Sequence, residues 1–138
     1  MYAACVDKDL NPQWFFRPEI LEGGTRNIVM DVTTSRGFAY FGAILGAKKI
    51  RIDSLEIVNS SNRDAMIFKA DFLGNILWAT HGGVTSSSNI NLTSITATEG
   101  KAIFAGGNYS GKIRFGKLSD STKYGNDDIW ITRISDYS

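Results

Sequence analysis

Few side chains in this 138-residue chain could do chemistry. The single histidine, His81, lies in the segment THGG, and no Ser or Cys stands at a catalytic-motif spacing from it. The single cysteine, Cys5, has apolar neighbours and lacks the adjacent cation or helix start that activates a nucleophilic thiol. We therefore predict a hydrogen-bonded loop imidazole at His81, simple packing at Cys5, and no catalytic residues.

One segment begins like a calcium-binding loop. Asp7–Asn11 reads D-x-D-x-N, but the sixth and twelfth positions are Pro12 and Pro18, where such a loop needs Gly and Glu. The similar segment Asp71–Asn75 lacks the second carboxylate. A hairpin turn explains both segments, because Gly and Asn tolerate the backbone of a tight turn. The sequence thus predicts no metal site and no cofactor.

Two tryptophans, Trp14 and Trp78, stand 64 residues apart in similar surroundings. Large aromatic side chains bury much area, so both could be wedges between packed sheets. The same rings could instead be platforms on which sugars stack, as in lectins that repeat one site to gain avidity. Both interpretations suit the spacing, and Trp14 and Trp78 are the candidate ligand-binding residues only under the lectin alternative.

Composition limits the remaining classes of function. A net charge of +1 provides no bulk charge to attract nucleic acid, so we expect no nucleic-acid partner. Nothing approaches the roughly 18 to 20 continuous apolar residues of a membrane helix, so we expect no membrane insertion. One cysteine cannot form an internal disulfide. The length and the 43% hydrophobic content predict one globular domain, residues 1–138.

The spacing of the tryptophans extends to other residues. Gly42 precedes Gly106 by 64 residues, and Asp64 precedes Asp128 by the same interval. An ordered series of matches indicates an internal duplication more strongly than any single pair does. The sequence therefore predicts two repeats.

Each repeat, the first at about 7–70 and the second at about 71–134, is typical of β-structure. Short apolar runs are bounded by Gly and polar residues, and a Gly-Asn turn separates two of them. No stretch shows a helical period. Four up-and-down strands per repeat are the pattern of a propeller blade. We predict an all-β fold: two propeller-type blades of four antiparallel strands plus a spare strand, part of a larger or oligomeric β-propeller.

These features also resemble a known family. The segments ADFLGNILWATHGG, SITATEGKAIFAGGNYSG and NDDIWITRIS are similar to the bacterial β-propeller repeat called the SBBP repeat. The first copy departs from the pattern at Leu10, where Gly is typical, and at Pro12. The resemblance implies a propeller fold and, for many members, an extracellular or cell-surface location. It implies little about function, because a fold hosts many functions.

The predicted register leaves two apolar blade faces and one sheet edge uncovered. The expected partners are therefore other copies of the chain, arranged head to tail, or the remaining blades of a longer protein. We expect a non-catalytic interaction or scaffold module. The alternatives are a carbohydrate-binding lectin with glycans as ligands and, third, an enzyme of unknown class.

Overall fold

The computed structural model describes residues 1–24, 26–59, 62–84, 89–122 and 127–136. Within these ranges the chain forms β-strands and no helix, so the all-β prediction is confirmed. In chain order the strands are β1 (Ala3–Val6), β2 (Pro12–Phe16), β3 (Glu19–Glu22), β4 (Asn27–Ser35), β5 (Phe38–Leu45), β6 (Lys49–Ile52), β7 (Leu55–Val58), β8 (Asp64–Asp71), β9 (Ile76–Val84), β10 (Ile90–Ala97), β11 (Ala102–Tyr109), β12 (Lys112–Phe115), β13 (Leu118–Ser121) and β14 (Asp128–Ser135).

The largest sheet has six strands in the order β13-β12-β9-β8-β5-β4. Four of them, β4, β5, β8 and β9, form an antiparallel meander whose strands follow one another in the chain apart from the β6–β7 hairpin. The other two form a hairpin that joins the end of β9, where Ile113 pairs with Val84. Every pairing in this sheet is antiparallel.

Among the described residues, three smaller antiparallel sheets accompany the large one, and none of the sheets is closed on itself. One has the order β10-β11-β14, the second β3-β6-β7, and the third consists of β1 and β2. The hairpin β6–β7 belongs to the second of these small sheets, and the hairpin β12–β13 belongs to the large sheet.

The central strands of the meander, β5 and β8, are buried on both faces, which explains why they read as continuous apolar runs rather than as alternating ones. One face of the meander packs against β10, β11 and β14, and the other packs against β2 and the β6–β7 hairpin. Side chains of the first cluster include Tyr40, Ile44, Ile67, Leu92, Ile103 and Trp130. Side chains of the second include Phe16, Phe41, Ile50, Met66 and Phe68.

Strand positions recur along the chain. β5 begins at Phe38 and β11 at Ala102, 64 residues later, and β8 and β14 begin at Asp64 and Asp128 with the same interval. We call two residues 64 positions apart counterparts. In these terms β1 and β2 are the counterparts of the later parts of β8 and the earlier part of β9. Comparing counterparts therefore compares the same place in successive segments.

Candidate functional site

The two segments that resembled a calcium loop form the same hairpin turn. Asp71 accepts hydrogen bonds at Oδ1 from the backbone N–H groups of Leu73 and Asn75, each at 2.9 Å. Asp7 accepts one from the backbone of Asn11 at the same distance. The side-chain amide of the Asn in each turn, helped by these backbone donors, lowers the pKa of Asp7 and of Asp71. Their carboxylates are thus engaged in the turn itself.

The turns differ at the residue with a left-handed backbone. Gly74 has φ +91° and Leu10, its counterpart, has φ +65°. Glycine adopts this conformation without strain, whereas a side chain at Leu10 carries a steric cost. The ring of Trp14 covers Gly74, where an added Cβ would lie 2.8 Å from Cγ of that ring. The turn therefore positions the first tryptophan.

Trp14 and Trp78 donate hydrogen bonds to residues that are counterparts of each other. Trp14 Nε1 donates to the backbone oxygen of Phe72 at 3.1 Å. Trp78 Nε1 donates to Oδ1 of Asp136 at 3.3 Å. Because Phe72 and Asp136 are counterparts, the two indole rings occupy equivalent places in successive segments. We call the surroundings of Trp14, with Cys5 and Phe72, the first corner, and those of Trp78, with Lys69 and Asp136, the second corner.

The second corner is filled by a buried ion pair. Lys69 is 1% exposed, and its Nζ lies 2.6 Å from Oδ2 of Asp136. Tyr40 donates its hydroxyl to the same oxygen at 2.8 Å. The ammonium also lies 3.9 Å from the centre of the Phe38 ring, a favourable cation–π geometry. These contacts compensate for the removal of two charges from water.

The first corner has neither member of that pair. Cys5 stands where Lys69 stands in the second corner, and Phe72 stands in the place of Asp136. A cavity of about 690 Å³ opens here, within the range of small-molecule sites. Its lining residues are Cys5, Trp14, Thr34, Ser35, Arg36, Gly37, Phe38, Ala39, Asp71, Phe72, Ala97 and Glu99.

Besides Asp71, the charged residues of this cavity lie on two turns. Arg36 belongs to the turn between β4 and β5, and Glu99 follows β10. The two turns touch, since Ser35 Oγ donates to the backbone oxygen of Thr98 at 3.2 Å. Neither Arg36 nor Glu99 forms an ion pair with any residue that the structure describes. Aromatic walls with free polar groups at the opening suit an organic ligand that has both apolar and polar faces.

His81 was expected in a loop, and that expectation was wrong. It lies inside β9, opposite Met66, because the strand continues through Gly82 and Gly83 to Val84. The expected hydrogen bond is present, since His81 Nδ1 lies 2.7 Å from Oδ2 of the fully buried Asp64. A Cβ added at Gly83 would collide with the Asp64 carboxylate, so glycine is needed at this position. The pair holds the imidazole in one orientation.

The predicted ligand residues, Trp14 and Trp78, are not brought together. They lie in different corners, and only Trp14 lines the large cavity. Sequence reasoning missed the partners of Trp78. Lys69 was a signal, since it is a lone charge in the apolar run between Phe68 and Ala70. Asp136 could not be matched to it, because 67 residues separate the two.

The chain matches no protein-family model, no curated protein and no solved structure. Among the described residues there is no group of three or more His, Cys, Asp or Glu side chains that could hold a metal ion. The same part of the chain contains no helix of the length and apolarity that a membrane span requires.

Proposed function

We propose that the chain is a non-catalytic interaction module of the β-propeller type, resembling the SBBP repeat, that associates with further sheets of its own kind. Other copies arranged head to tail, or the remaining blades of a longer protein, would supply these sheets. The four-stranded meander with sheet material packed on both faces supports this proposal, since propeller blades stack in that way.

The observation that carries the proposal is a difference in exposure between counterparts. Ile131 on β14 is 76% exposed, whereas Ile67, at the same place in β8, is 3% exposed beneath the next sheet. Ile129 is likewise exposed, and its counterpart Ala65 is buried. The outer face of β14 thus has the side chains of an internal interface without the sheet that covers them. Exposed apolar patches of this kind mark interaction sites.

The opposite end of the molecule shows the same difference. Tyr2 is 69% exposed, and its counterpart Met66 is fully buried. Phe15 on β2 is also exposed, and its ring centre lies 5.9 Å from that of Tyr2. One end therefore presents two isoleucines and the other presents two aromatic rings. A head-to-tail arrangement would place these two ends in contact.

Native mass measurement of Ile131→Lys beside the wild type tests the proposal. We expect the wild type to associate at micromolar concentration and the variant to stay at 15.2 kDa, because a charge on the outer face of β14 opposes burial. Leu73→Lys is the matched control, since Leu73 is equally exposed but lies on a turn. Circular dichroism confirms that each variant is folded.

Two outcomes would contradict the proposal. One is a wild type that remains a single 15.2 kDa species at every concentration and unfolds cooperatively. The other is equal association of Ile131→Lys and Leu73→Lys, since the exposed face would then not be the contact.

Glycan binding remains the second candidate, and the cavity beside Trp14 is the observation that favours it. A sugar ring could stack on the indole while Arg36 and Glu99 bind its hydroxyl groups. On a glycan array we expect Trp14→Ala to lose binding. Trp78→Ala should retain it if folded, because the second corner is filled by Lys69 and Asp136. Absence of binding by the wild type to every glycan would remove this candidate.

A further inference from the structure

The outer edge of β14 differs from that of its counterpart strand. β14 pairs with β11 along its whole length, from Asp128 to Ser135, and it is the last strand of its sheet among the described residues. In the meander, the same edge of β8 is covered by β9. The edge of β14 therefore presents backbone N–H and C=O groups that its counterpart strand uses for pairing.

A groove runs beside this edge. It has a volume of about 270 Å³ and lies between β14 and the β12–β13 hairpin. Its floor includes Trp130 and Phe115, whose ring centres are 4.9 Å apart. The lining residues are Tyr109, Ile113, Phe115, Leu118, Ser119, Asp120, Ile129, Trp130, Ile131 and Thr132. A strand edge beside an apolar groove is the arrangement by which sheets bind extended peptides, since the edge gives affinity and the groove gives specificity.

We propose that the edge of β14 binds an extended polypeptide strand, antiparallel to it, with an aromatic side chain opposite Arg133. This inference deepens the proposed function and rests on it, because it names the chemistry of one partner segment. The occupant is a peptide strand rather than a small molecule, because a row of backbone donors and acceptors is best satisfied by another backbone.

The register follows from the pairing inside the chain. In the meander, Lys69 of β8 lies opposite Trp78 of β9. Arg133 is the counterpart of Lys69, so a strand paired in the same register places its aromatic residue opposite Arg133. Arg133 is exposed and forms no ion pair with the described residues. Its guanidinium group can stack on the incoming ring.

The probe is a labelled peptide with the sequence of β9, Ile76–Val84, which is ILWATHGGV. Binding to the wild-type protein is followed by fluorescence anisotropy and by amide chemical shifts. We expect saturable binding with the largest shifts at 128–135. The peptide with Trp78→Ala should bind roughly three- to tenfold more weakly, and so should the intact peptide to the Arg133→Ala protein. Arg26→Ala, at a second exposed arginine away from the edge, is the matched control.

Two N-methylated peptides test whether the backbone pairs. One carries methyl groups on alternate residues from Ile76, and the other carries them on alternate residues from Leu77. Only one of these sets directs its N–H groups toward β14, because successive residues of a strand point to opposite sides. We expect one methylated peptide to lose binding and the other to retain it.

Three results would overturn the inference: no saturable binding, equal binding of the two methylated peptides, or shifts at β8 in place of β14. Failure here and failure of the proposed function are distinguishable, because peptide binding is read by anisotropy at protein concentrations at which native mass shows a monomer, and association is read by native mass at higher concentration. A protein that binds the peptide but stays monomeric would support the edge site and contradict the proposed association. A protein that associates but does not bind the peptide would support the association and contradict the edge site.

Discussion

The first and second corners occupy the same place in successive segments, and one is open while the other is filled. Both contain a tryptophan whose Nε1 donates a hydrogen bond to a residue 58 positions later in the chain. They differ at two positions, where Cys5 and Phe72 replace Lys69 and Asp136. Equivalent tryptophans thus do not create equivalent sites, because the neighbours of each ring decide whether a cavity remains.

Removal of one charge from the second corner should have the largest effect on the free energy of unfolding. Asp136→Ala removes the carboxylate that lies 2.6 Å from the buried Lys69 ammonium, and we expect it to lower the free energy of unfolding by about 3–5 kcal/mol. Phe72→Ala, the change at the counterpart, should cost about 0.5 kcal/mol because that ring is 69% exposed. Urea unfolding of both variants measures the difference.

The double variant Lys69→Met, Asp136→Leu is the control for this comparison. It removes both charges, so we expect it to be more stable than Asp136→Ala despite having two substitutions. Equal costs for Asp136→Ala and Phe72→Ala would show that the second corner is not sealed and would end the distinction between the corners.

Alkaline pH should also lower the stability that the second corner provides, by less than Asp136→Ala does. Burial, followed by the hydrogen bond and charge of Asp136, raises the pKa of Tyr40 from 10.0 to about 12. Between these values the folded protein keeps the proton that the unfolded chain has lost. The stabilisation is therefore complete below about pH 10 and falls by about 3 kcal/mol as the pH rises to about 12.

Stability measured from pH 9 to 12 checks this expectation, with tyrosinate absorbance as a second readout. Tyr40→Phe should lose part of the slope above pH 10. Tyr109→Phe is the companion variant, because burial also raises the pKa of Tyr109. A slope that is the same in Tyr40→Phe and in the wild type would contradict the assigned origin.

The turn beneath Trp14 offers a test of the first corner. Gly74→Ala places a Cβ against the Trp14 ring and forces a left-handed backbone on alanine. We expect a loss of about 1–3 kcal/mol, measured by thermal unfolding. Trp14 fluorescence should shift as well, provided that Trp78 and Trp130 are replaced by Phe in both proteins compared. An unchanged melting temperature would mean that the turn does not support the ring.

The smallest expected effect is a gain in stability. Leu10→Gly relieves about 1–2 kcal/mol of left-handed strain, while glycine loses about 0.5–1 kcal/mol more on folding. We expect a net gain of about 0.5 kcal/mol in the free energy of unfolding. Leu73→Gly, at an exposed position of the other turn, should instead destabilise. A loss of stability in Leu10→Gly would contradict this expectation. It would show that the two turns differ even though their hydrogen bonds are equivalent.

Much of the fold followed from local patterns, whereas the two corners did not. The apolar run Phe38–Leu45 and the Gly-Asn turn predicted β-strands and a hairpin, because both depend on residues adjacent in the chain. His81 was placed in a loop because Gly82 and Gly83 resemble a turn, but close packing against Asp64 and Phe115 requires those glycines within a strand. Two adjacent glycines suit either a turn or a close approach of neighbouring groups, and only the tertiary packing decides between the two.

The sequence by itself determined the strands, their turns and the 64-residue interval that relates Trp14 to Trp78. Only the tertiary structure decided that Lys69 meets Asp136 and that Cys5 opens a cavity. The physical reason is the separation along the chain over which each effect acts. Alternation and turn preference act over a few residues, whereas a buried charge finds its partner only after packing has brought distant strands together.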